Sequence, residues 1–382
     1  MNQTQLKAFK YRIYPNKDQQ VLIEKHFGCA RFTFNWALNL QQKFYEENKK
    51  SLTRKEIQDQ LVALKKTTEY EWLNEVNSQT LLSSLLHVYT AFGNFFKGRA
   101  KFPKFKSKKI PQRSYQCPQH CSVNFASGVL NIPKIKGIKI VFSREFEGKI
   151  KTVTLSKTAT GKYYAAILVE VEQVQPTATV VDPDLTIGID LGLEHMLIKS
   201  DGQKIKNPRH LKTAQKRLAI QQKIFARKKK ESKNYQRQKL SVARIYERVR
   251  NQRLDLHHKL THTLICENQA TSYAVEDLAI KNMVKNRKLA KAISDVAWGQ
   301  FLTLLSYKAA WNGKNILKIG RFMPSSKTCS SCNYVMPKLP LHIRSWCCPS
   351  CCAEHDRDVN AGKNVRLFAL ADALGHNKIS VV

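Results

Sequence analysis

The sequence has few acidic residues and no long apolar segment. It contains 29 Asp and Glu against 65 Lys and Arg, which gives a formal net charge of +36. A chain this positive repels itself, and a polyanionic partner relieves that repulsion most directly. A solvated basic surface is the alternative, and a membrane-surface role lacks the continuous amphipathic helix that it needs. Nucleic acid is therefore the leading partner.

Segments for secretion and membrane insertion are also missing. The first 15 residues, MNQTQLKAFKYRIYP, lack the apolar core of a secretory signal. No stretch reaches about 18 consecutive apolar residues, so we predict no membrane span and no membrane partner. We expect a cytoplasmic protein, nucleoid-associated in a prokaryote. In such a protein the ten cysteines argue against a disulfide framework. The scattered ones, which we expect in the core, are Cys29, Cys117, Cys121 and Cys266.

The first half of the chain changes from a strand to helices and back to strands. Residues 6–15 alternate as a strand, and Asn16 can cap a helix beginning near Lys17. Helical periodicity continues with breaks to about Lys97, and residues 113–175 alternate as several strands. The simplest architecture is a β-barrel built from the first strand and the later ones, with a helical bundle inserted.

A basic segment, KGRAKFPKFKSKKIPQR (97–113), joins the helices to the later strands. Its basic residues alternate with Phe102 and Phe105, and its prolines break any helix. We interpret it as a loop that contacts phosphates, although a solvated linker explains it nearly as well.

The second half follows a predicted linker, VQPTATVVDPDLT (174–186). Strands alternate with helices beyond it, which is typical of an α/β domain. Residues 206–270 are mostly helix-forming and dense in Lys and Arg. A solvated face explains part of this charge, and a nucleic-acid backbone explains its density better.

Two CxxC pairs predict a metal site. Their cysteines are Cys329, Cys332, Cys348 and Cys351. Four thiolates in two tight turns suit tetrahedral Zn²⁺ in a structural zinc ribbon. A redox-active dithiol and unliganded core cysteines are the alternatives. Cys347 and Cys352 flank the second pair, so the ligand register could slip by one residue.

Three acidic residues occupy positions that suit a second, harder metal. Asp190 ends the apolar run TIGID, Glu276 ends the strand-like YAVE, and Asp358 lies at the start of the last helix. Each acid alone is more often a solvated turn residue or a helix cap. Together, in a basic α/β domain, they match the way in which ribonuclease-H-like nucleases hold two Mg²⁺ ions. Asp190 would bridge both ions, and each of the other acids would hold one.

Neighbouring residues leave alternatives to this assignment. Asp277 adjoins Glu276 but points to the other face of a strand. Asp356 does not share a helix face with Asp358, so we expect it to cap the helix instead. Arg357 is a candidate phosphate contact.

With these residues in place, the chain resembles the TnpB family, transposon-encoded RNA-guided nucleases related to type V CRISPR effectors. The matching stretches spread over nearly the whole length; they are YRIYPNKDQ, FNWAL, AFGNFFKG, FPKFKSKK, IGIDLGL, VEDL, PSSKTCSSC, and CPSC leading into HDRDVNAGKNV. The family often has Gly after each CxxC, where this chain has Asn333 and Cys352, and Ala-Ala where it has Ala361 and Gly362.

The resemblance implies an α+β multidomain fold. A β-barrel wedge domain (1–15 and 113–175) would contain an inserted helical recognition domain (16–112). An RNase H-like, RuvC-type α/β nuclease domain (182–382) would follow, with a zinc ribbon (324–355) inserted.

The resemblance also implies a function and its cofactors. The protein would be a Mg²⁺-dependent RNA-guided DNA endonuclease with a guide RNA from the transposon end, double-stranded target DNA and a flanking motif. Asp190, Glu276 and Asp358 would be its RuvC acids, and the four cysteines its Zn²⁺ ligands. Candidates for contacting the flanking motif are Asn77, Ser78 and Gln79. Oligomeric state, guide sequence, flanking motif and cut pattern are left open.

Two other functions are compatible with the charge. Some relatives that lack the acids act as RNA-guided repressors, but this chain keeps all three acids. A transposase that joins element ends without RNA is the other alternative, which composition alone does not exclude.

Overall fold

The computed structural model describes residues 4–109, 113–172 and 176–375. Parts of the predicted loop (110–112), of the linker (174–175) and of both chain ends lie outside the described residues. The chain divides into two compact units, Met1–Val174 and Gln175–Val382. Among the helices described, none is both long and apolar enough to cross a membrane.

The first unit begins with a strand and a helical segment and then becomes a sheet. Its elements are β1 (Thr4–Tyr14), α1 (Lys17–Asn48), α2 (Arg54–Leu64), a 3₁₀ helix (Thr68–Glu75), α3 (Ser78–Phe96), β2 (Arg113–Cys117), β3 (Ser122–Asn124), β4 (Val129–Ile132), β5 (Ile135–Val141), β6 (Lys149–Lys157) and β7 (Tyr163–Glu172). The Asn16 side chain accepts from the Gln19 N–H at 2.8 Å, and the Gln19 side chain accepts from the Asn16 N–H. This capping box confirms the predicted start of α1.

The seven strands of this unit form one antiparallel sheet in the order β2-β6-β7-β1-β5-β4-β3. Alternate residues of almost every strand meet in a single apolar cluster, so the sheet curls around its own inner face. Ile23 and Phe27 of α1 pack into that cluster. The predicted barrel is thus an open curled sheet, with β2 and β3 as edges and no ladder between them among the described strands.

The helices have a core of their own. Leu38 of α1, Ile57 and Leu61 of α2, and Leu81 and Leu85 of α3 are almost fully buried in one cluster. The predicted placement of the scattered cysteines is only partly right. Cys29 and Cys117 are buried, Cys121 is partly buried and Cys266 is exposed.

The second unit alternates strands and helices. Its elements are β8 (Thr186–Asp190), β9 (His195–Lys199), β10 (Lys204–Lys206), α4 (His210–Ala226), α5 (Lys233–Cys266), β11 (Ser272–Glu276), α6 (Ile280–Met283), α7 (Ala290–Val296), α8 (Trp298–Trp311), β12 (Asn315–Ile319), β13 (Ser345–Cys347), β14 (Glu354–Asp356) and α9 (Arg357–Ala373). The lysine- and arginine-rich stretch is therefore two helices, α4 and α5, as the sequence predicted in outline.

Five of these strands form a mixed sheet in the order β10-β9-β8-β11-β12. Strands β8, β11 and β12 are parallel, and β9 is antiparallel to β8. Helices α5 and α8 pack on one face, and α9 packs on the other through Val365 and Phe368.

A close approach fixes α9 on this sheet. A Cβ atom on Gly188 of β8 would lie 2.0 Å from the carbonyl oxygen of Gly362 in α9. Only glycine at position 188 therefore allows this helix to lie so near the strand.

Candidate active site and metal centre

Asp190 and Glu276 end two neighbouring parallel strands. The register pairs Ile189 of β8 with Val275 of β11, so the two acids follow at the same edge of the sheet. Side chains alternate along a strand, which puts Asp190 on the face of Gly188, the face that α9 covers. The carboxyl ends of these strands thus point both acids toward the start of α9.

Asp358 lies in the first turn of that helix. The Asp356 carboxylate accepts from the backbone N–H groups of Asp358 and Val359 at 3.1 and 3.0 Å. This confirms the cap predicted for Asp356, which also pairs with Lys204 at 2.6 Å. The cap sets where α9 begins and so positions Asp358 beside the two strand-end acids.

The electrostatics of Asp190 show that the three acids interact. Burial, followed by the negative charges of Glu276 and Asp358, raises the pKa of Asp190 from an ordinary 3.8 to about 7. At neutral pH this carboxyl group therefore holds a proton part of the time. A bound cation would favour its ionised form, because metal ligands bind as carboxylates.

The carboxylates do not form a cage for a single ion. Among the described residues, one group of three or more His, Cys, Asp or Glu side chains has all its ligand atoms within 4.8 Å of one another. That group consists of cysteines. The acids have other partners. Ser325 Oγ donates to Glu276 Oε1 at 2.6 Å, and Arg344 Nη1 lies 3.3 Å from Asp358 Oδ1. Sequence reasoning missed both partners, because nothing in their local sequence marks them.

The neighbouring candidates have structural roles. The partly exposed Asp277 pairs with Arg321 at 2.6 Å. Arg357 is buried, and its Nη1 donates to the Pro340 carbonyl oxygen at 2.7 Å. The phosphate contact suggested for Arg357 is therefore not supported.

The four cysteines of the CxxC pairs come together. Cys329 Sγ lies 3.7 Å from Cys351 Sγ, and Cys332 Sγ lies 3.6 Å from Cys348 Sγ. Four sulfurs at 2.3 Å from a tetrahedral Zn²⁺ would be about 3.8 Å apart, so the cluster has the dimensions of such a site. A hydrogen bond from the Tyr334 backbone N–H to the Cys332 sulfur, together with the neighbouring thiols, lowers the pKa of Cys332 to about 7, although desolvation opposes this.

The two CxxC turns have the same backbone hydrogen bonds. The Asn333 N–H donates to the Cys329 carbonyl, and the Cys352 N–H donates to the Cys348 carbonyl, both at 2.9 Å. Asn333 and Cys352 both have left-handed φ angles, of 62° and 58°. Glycine adopts that conformation at lower cost than these two residues do.

The flanking cysteines stay outside the cluster. Cys347 is exposed, and its Sγ donates to the Cys352 carbonyl oxygen at 3.3 Å. Cys352 supplies the left-handed turn residue. The structure thus groups Cys348 and Cys351 with the first pair.

Residues beyond the cysteines tie this cluster to α9. Asn360 of α9 accepts from the Ser330 N–H at 3.0 Å and donates to the Thr328 carbonyl at 2.7 Å. Asn364, one turn later, donates to the carbonyls of Ser325 and Thr328. The signal for this clamp is two asparagines four residues apart on one helix face.

A histidine also contacts the cluster. His355 Nε2 lies 3.0 Å from Cys329 Sγ, and burial together with Lys363 lowers the His355 pKa. A neutral imidazole can donate one N–H to a thiolate, as partners of metal ligands commonly do.

The candidates for contacting a flanking motif lie at the start of α3. Asn77 is buried, caps the helix through the Gln79 N–H and donates its own N–H to His26 Nε2 at 3.2 Å. Ser78 is exposed and Gln79 partly exposed. Asn77 thus has a structural role, and only the other two reach the surface.

Three family models match parts of the chain. OrfB_IS605, described as "Probable transposase", matches residues 166–287, and "Cas12f1-like, TNB domain" matches residues 298–365. A "Helix-turn-helix domain" of the OrfB_IS605 type matches residues 1–50.

Whole-length relatives and a solved structure agree with these matches. A Streptomyces pristinaespiralis protein named "Putative RNA-guided DNA endonuclease" is 38% identical over 374 residues, covering 97% of this chain and 91% of that protein. The Escherichia coli K12 protein "Putative RNA-guided DNA endonuclease InsQ" is 30% identical over 94% of this chain and 91% of its own. A structure described as a Cas12f1-sgRNA-target DNA complex matches with a TM-score of 0.50 and 12% identity, over 95% of this chain and 99% of that one, and shows a similar mixed α/β fold. The chain belongs to the TnpB family, as its motifs indicated.

Proposed function

We propose that this protein is an RNA-guided DNA endonuclease of a transposon. It binds a guide RNA from the element end, recognises a short flanking motif and cuts guide-matched DNA. The observation that carries the proposal is the convergence of Asp190, Glu276 and Asp358, where burial, followed by the charges of the other two acids, raises the pKa of Asp190 to about 7. Such a shift among three acids at one sheet edge is typical of a catalytic metal site.

Other findings support the same proposal. The two relatives described above carry the name of this activity, and the similar fold is that of a complex with guide RNA and target DNA. The net charge of +36 suits two nucleic-acid partners. The strand order of the second unit supports an RNase H-like domain, because β8 has the antiparallel β9 on one side and the parallel strands β11 and β12 on the other.

We propose the domain assignment that the family resemblance implies. The curled sheet is the proposed wedge domain, and α1 to α3 are the proposed recognition domain. The second unit is the proposed RuvC-type nuclease domain. Its cysteine segment is the proposed zinc ribbon.

The acidic residues fit Mg²⁺, because hard divalent cations prefer carboxylate oxygens. Asp190, Glu276 and Asp358 would hold two ions, which when bound supply an activated water and neutralise the leaving oxygen. Ser325 orients the Glu276 carboxylate, and the Asp356 cap holds the turn that carries Asp358. The cysteines fit Zn²⁺. The hydrogen bonds of Asn360 and Asn364 fix the position of the cysteine cluster relative to α9.

Plasmid cleavage in Mg²⁺ tests the proposal. The chain is co-expressed with its genomic 3′ flank, the bound RNA is sequenced, and a matching target is offered behind a randomised flank. We expect one flanking motif to be depleted by the wild type and none by Asp190→Asn. The matched control is Asp277→Asn, which removes a neighbouring carboxylate that pairs with Arg321 and should still cut.

The same experiment separates the alternatives. Cleavage that persists in Asp190→Asn would overturn the site assignment. RNA and target binding without cleavage in Mg²⁺ or Mn²⁺ would indicate an RNA-guided repressor. Recovery of no RNA would instead favour a transposase, as the OrfB_IS605 family model is described.

A further inference from the structure

A large aromatic cavity in the helical part of the first unit has no role in the proposed chemistry. Its volume is about 710 Å³, and residues of α1, the α1–α2 connection, α3 and the following loop line it. This volume is in the range of ligand-binding pockets. Two of its phenylalanines face solvent, since Phe96 is 77% exposed and Phe102 is 46% exposed.

The exposed rings form part of a packed aromatic wall. Phe102 packs edge-on against Phe92 and Phe95, with ring centroids 5.6 and 5.3 Å apart. Phe96 lies 5.3 Å from Phe95 by the same measure. Gly93 lies on the same helix surface, and a Cβ atom there would meet nothing within 4 Å. The partly buried rings of Phe92 and Phe95 thus hold the exposed ones in place beside open space.

A buried polar group in the cavity lacks a partner. Gln41 lines the cavity, is only 8% exposed, and its Nε2 is 3.4 Å from the Leu52 carbonyl oxygen. Its Oε1 accepts no hydrogen bond from any described residue. A buried acceptor without a donor is costly, so this oxygen indicates a ligand that carries an N–H or O–H group.

Basic residues are frequent in the chain segments that line the cavity. The segments that supply its lining also carry exposed cations, which are Lys49, Lys50, Lys97, Arg99 and Lys101. Glu46 is the single acid among the lining residues. An apolar peptide would not need exposed cations in these segments, whereas a phosphate backbone that presents a base to the aromatic wall would.

We propose that this cavity binds one or more unpaired bases of a single-stranded nucleic acid, with Phe96 and Phe102 as stacking surfaces. Aromatic rings beside a basic track are the usual means by which proteins hold unstacked bases. Gln41 Oε1 accepts from an N–H on the edge of a base, and the lysines and arginine contact the backbone. The inference rests on the proposed function and adds a site where RNA or displaced DNA is held.

Fluorescence of 2-aminopurine tests this site in the full-length protein. Short RNA and DNA oligonucleotides carry the probe, and matched oligonucleotides carry an abasic position instead. We expect stacking to quench the probe in the wild type. Phe96→Ala and Phe102→Ala should each weaken binding of the base-containing strand by roughly 5- to 150-fold and barely change binding of the abasic one.

Two further variants sharpen the result. Gln41→Leu removes the acceptor while keeping the side chain's size, and should weaken binding of the base-containing strand only. Phe322→Ala removes a phenylalanine that is 97% exposed in the second unit and outside the cavity, and should have no effect. Tighter binding of RNA would point to the guide and of DNA to the displaced strand; either supports the proposal.

Other outcomes would overturn it. The proposal fails if the phenylalanine variants bind base-containing strands as well as the wild type does, or if the wild type does not distinguish them from abasic strands. A changed oligomeric state in Phe96→Ala, with base binding intact, would identify the cavity as a protein contact instead. Asp190→Asn should bind the probe normally, so failure of the cleavage proposal is scored separately.

Discussion

Replacing Asp190 by Asn removes a carboxyl group whose negative charge is disfavoured by burial and by the neighbouring acids. The pKa of Asp190 is about 7 in the folded protein and 3.8 ordinarily, a difference of roughly 3. At about 1.4 kcal/mol per pKa unit, ionising this group above pH 7 costs the metal-free fold up to roughly 4 kcal/mol. Because the pKa of Asp190 is raised in the folded protein, the stabilisation that its protonated carboxyl group contributes is fully present below pH 4 and is lost as the pH rises to 7.

Thermal unfolding of the metal-depleted protein measures this cost. Dialysis against Mg²⁺-free buffer is preferable to a strong chelator, which would also strip the four-cysteine site. Between pH 5 and pH 8, we expect Asp190→Asn to gain up to roughly 10 °C in Tm relative to the wild type. Added Mg²⁺ should raise the Tm of the wild type at pH 8 and leave that of the variant nearly unchanged.

One control and one outcome decide the interpretation. Asp277→Asn removes a partly exposed, ion-paired carboxylate and should change Tm little at either pH. Equal pH dependence of Tm in the wild type and Asp190→Asn would refute the reasoning, because the raised pKa would then not belong to this carboxyl group.

Two other substitutions test the packing and the metal centre. Gly188→Ala forces a Cβ atom to 2.0 Å from the Gly362 carbonyl oxygen, and should lower the free energy of unfolding by at least about 3 kcal/mol. Gly362→Ala, whose Cβ atom would have contacts of 3.3 Å, should lower it much less. Equal losses of stability in the two variants would contradict the close approach of α9. Cys348→Ser should lose bound zinc in elemental analysis while Cys347→Ser keeps one ion per chain, and the opposite result would show that the ligand register is shifted.

Much of the site was predictable because its residues carry their signal locally. The CxxC spacing identifies a set of thiols by itself, and an acid after an apolar strand marks the strand's end. The capping roles of Asn16 and Asp356 were also predictable, because a cap depends on residues within one turn. The partial failure concerned the barrel, since strand alternation does not reveal whether the edge strands meet.

The sequence alone predicted a nucleic-acid partner, the family, the broad order of strands and helices, and the three candidate acids, because charge, periodicity and motif spacing are properties of the chain itself. Only the tertiary structure decided which cysteines group together, that Ser325 and Arg344 contact the acids, and that Gly188 lets α9 approach β8. It also revealed the aromatic cavity. Those features depend on contacts between residues far apart in sequence, which exist only after the units have packed.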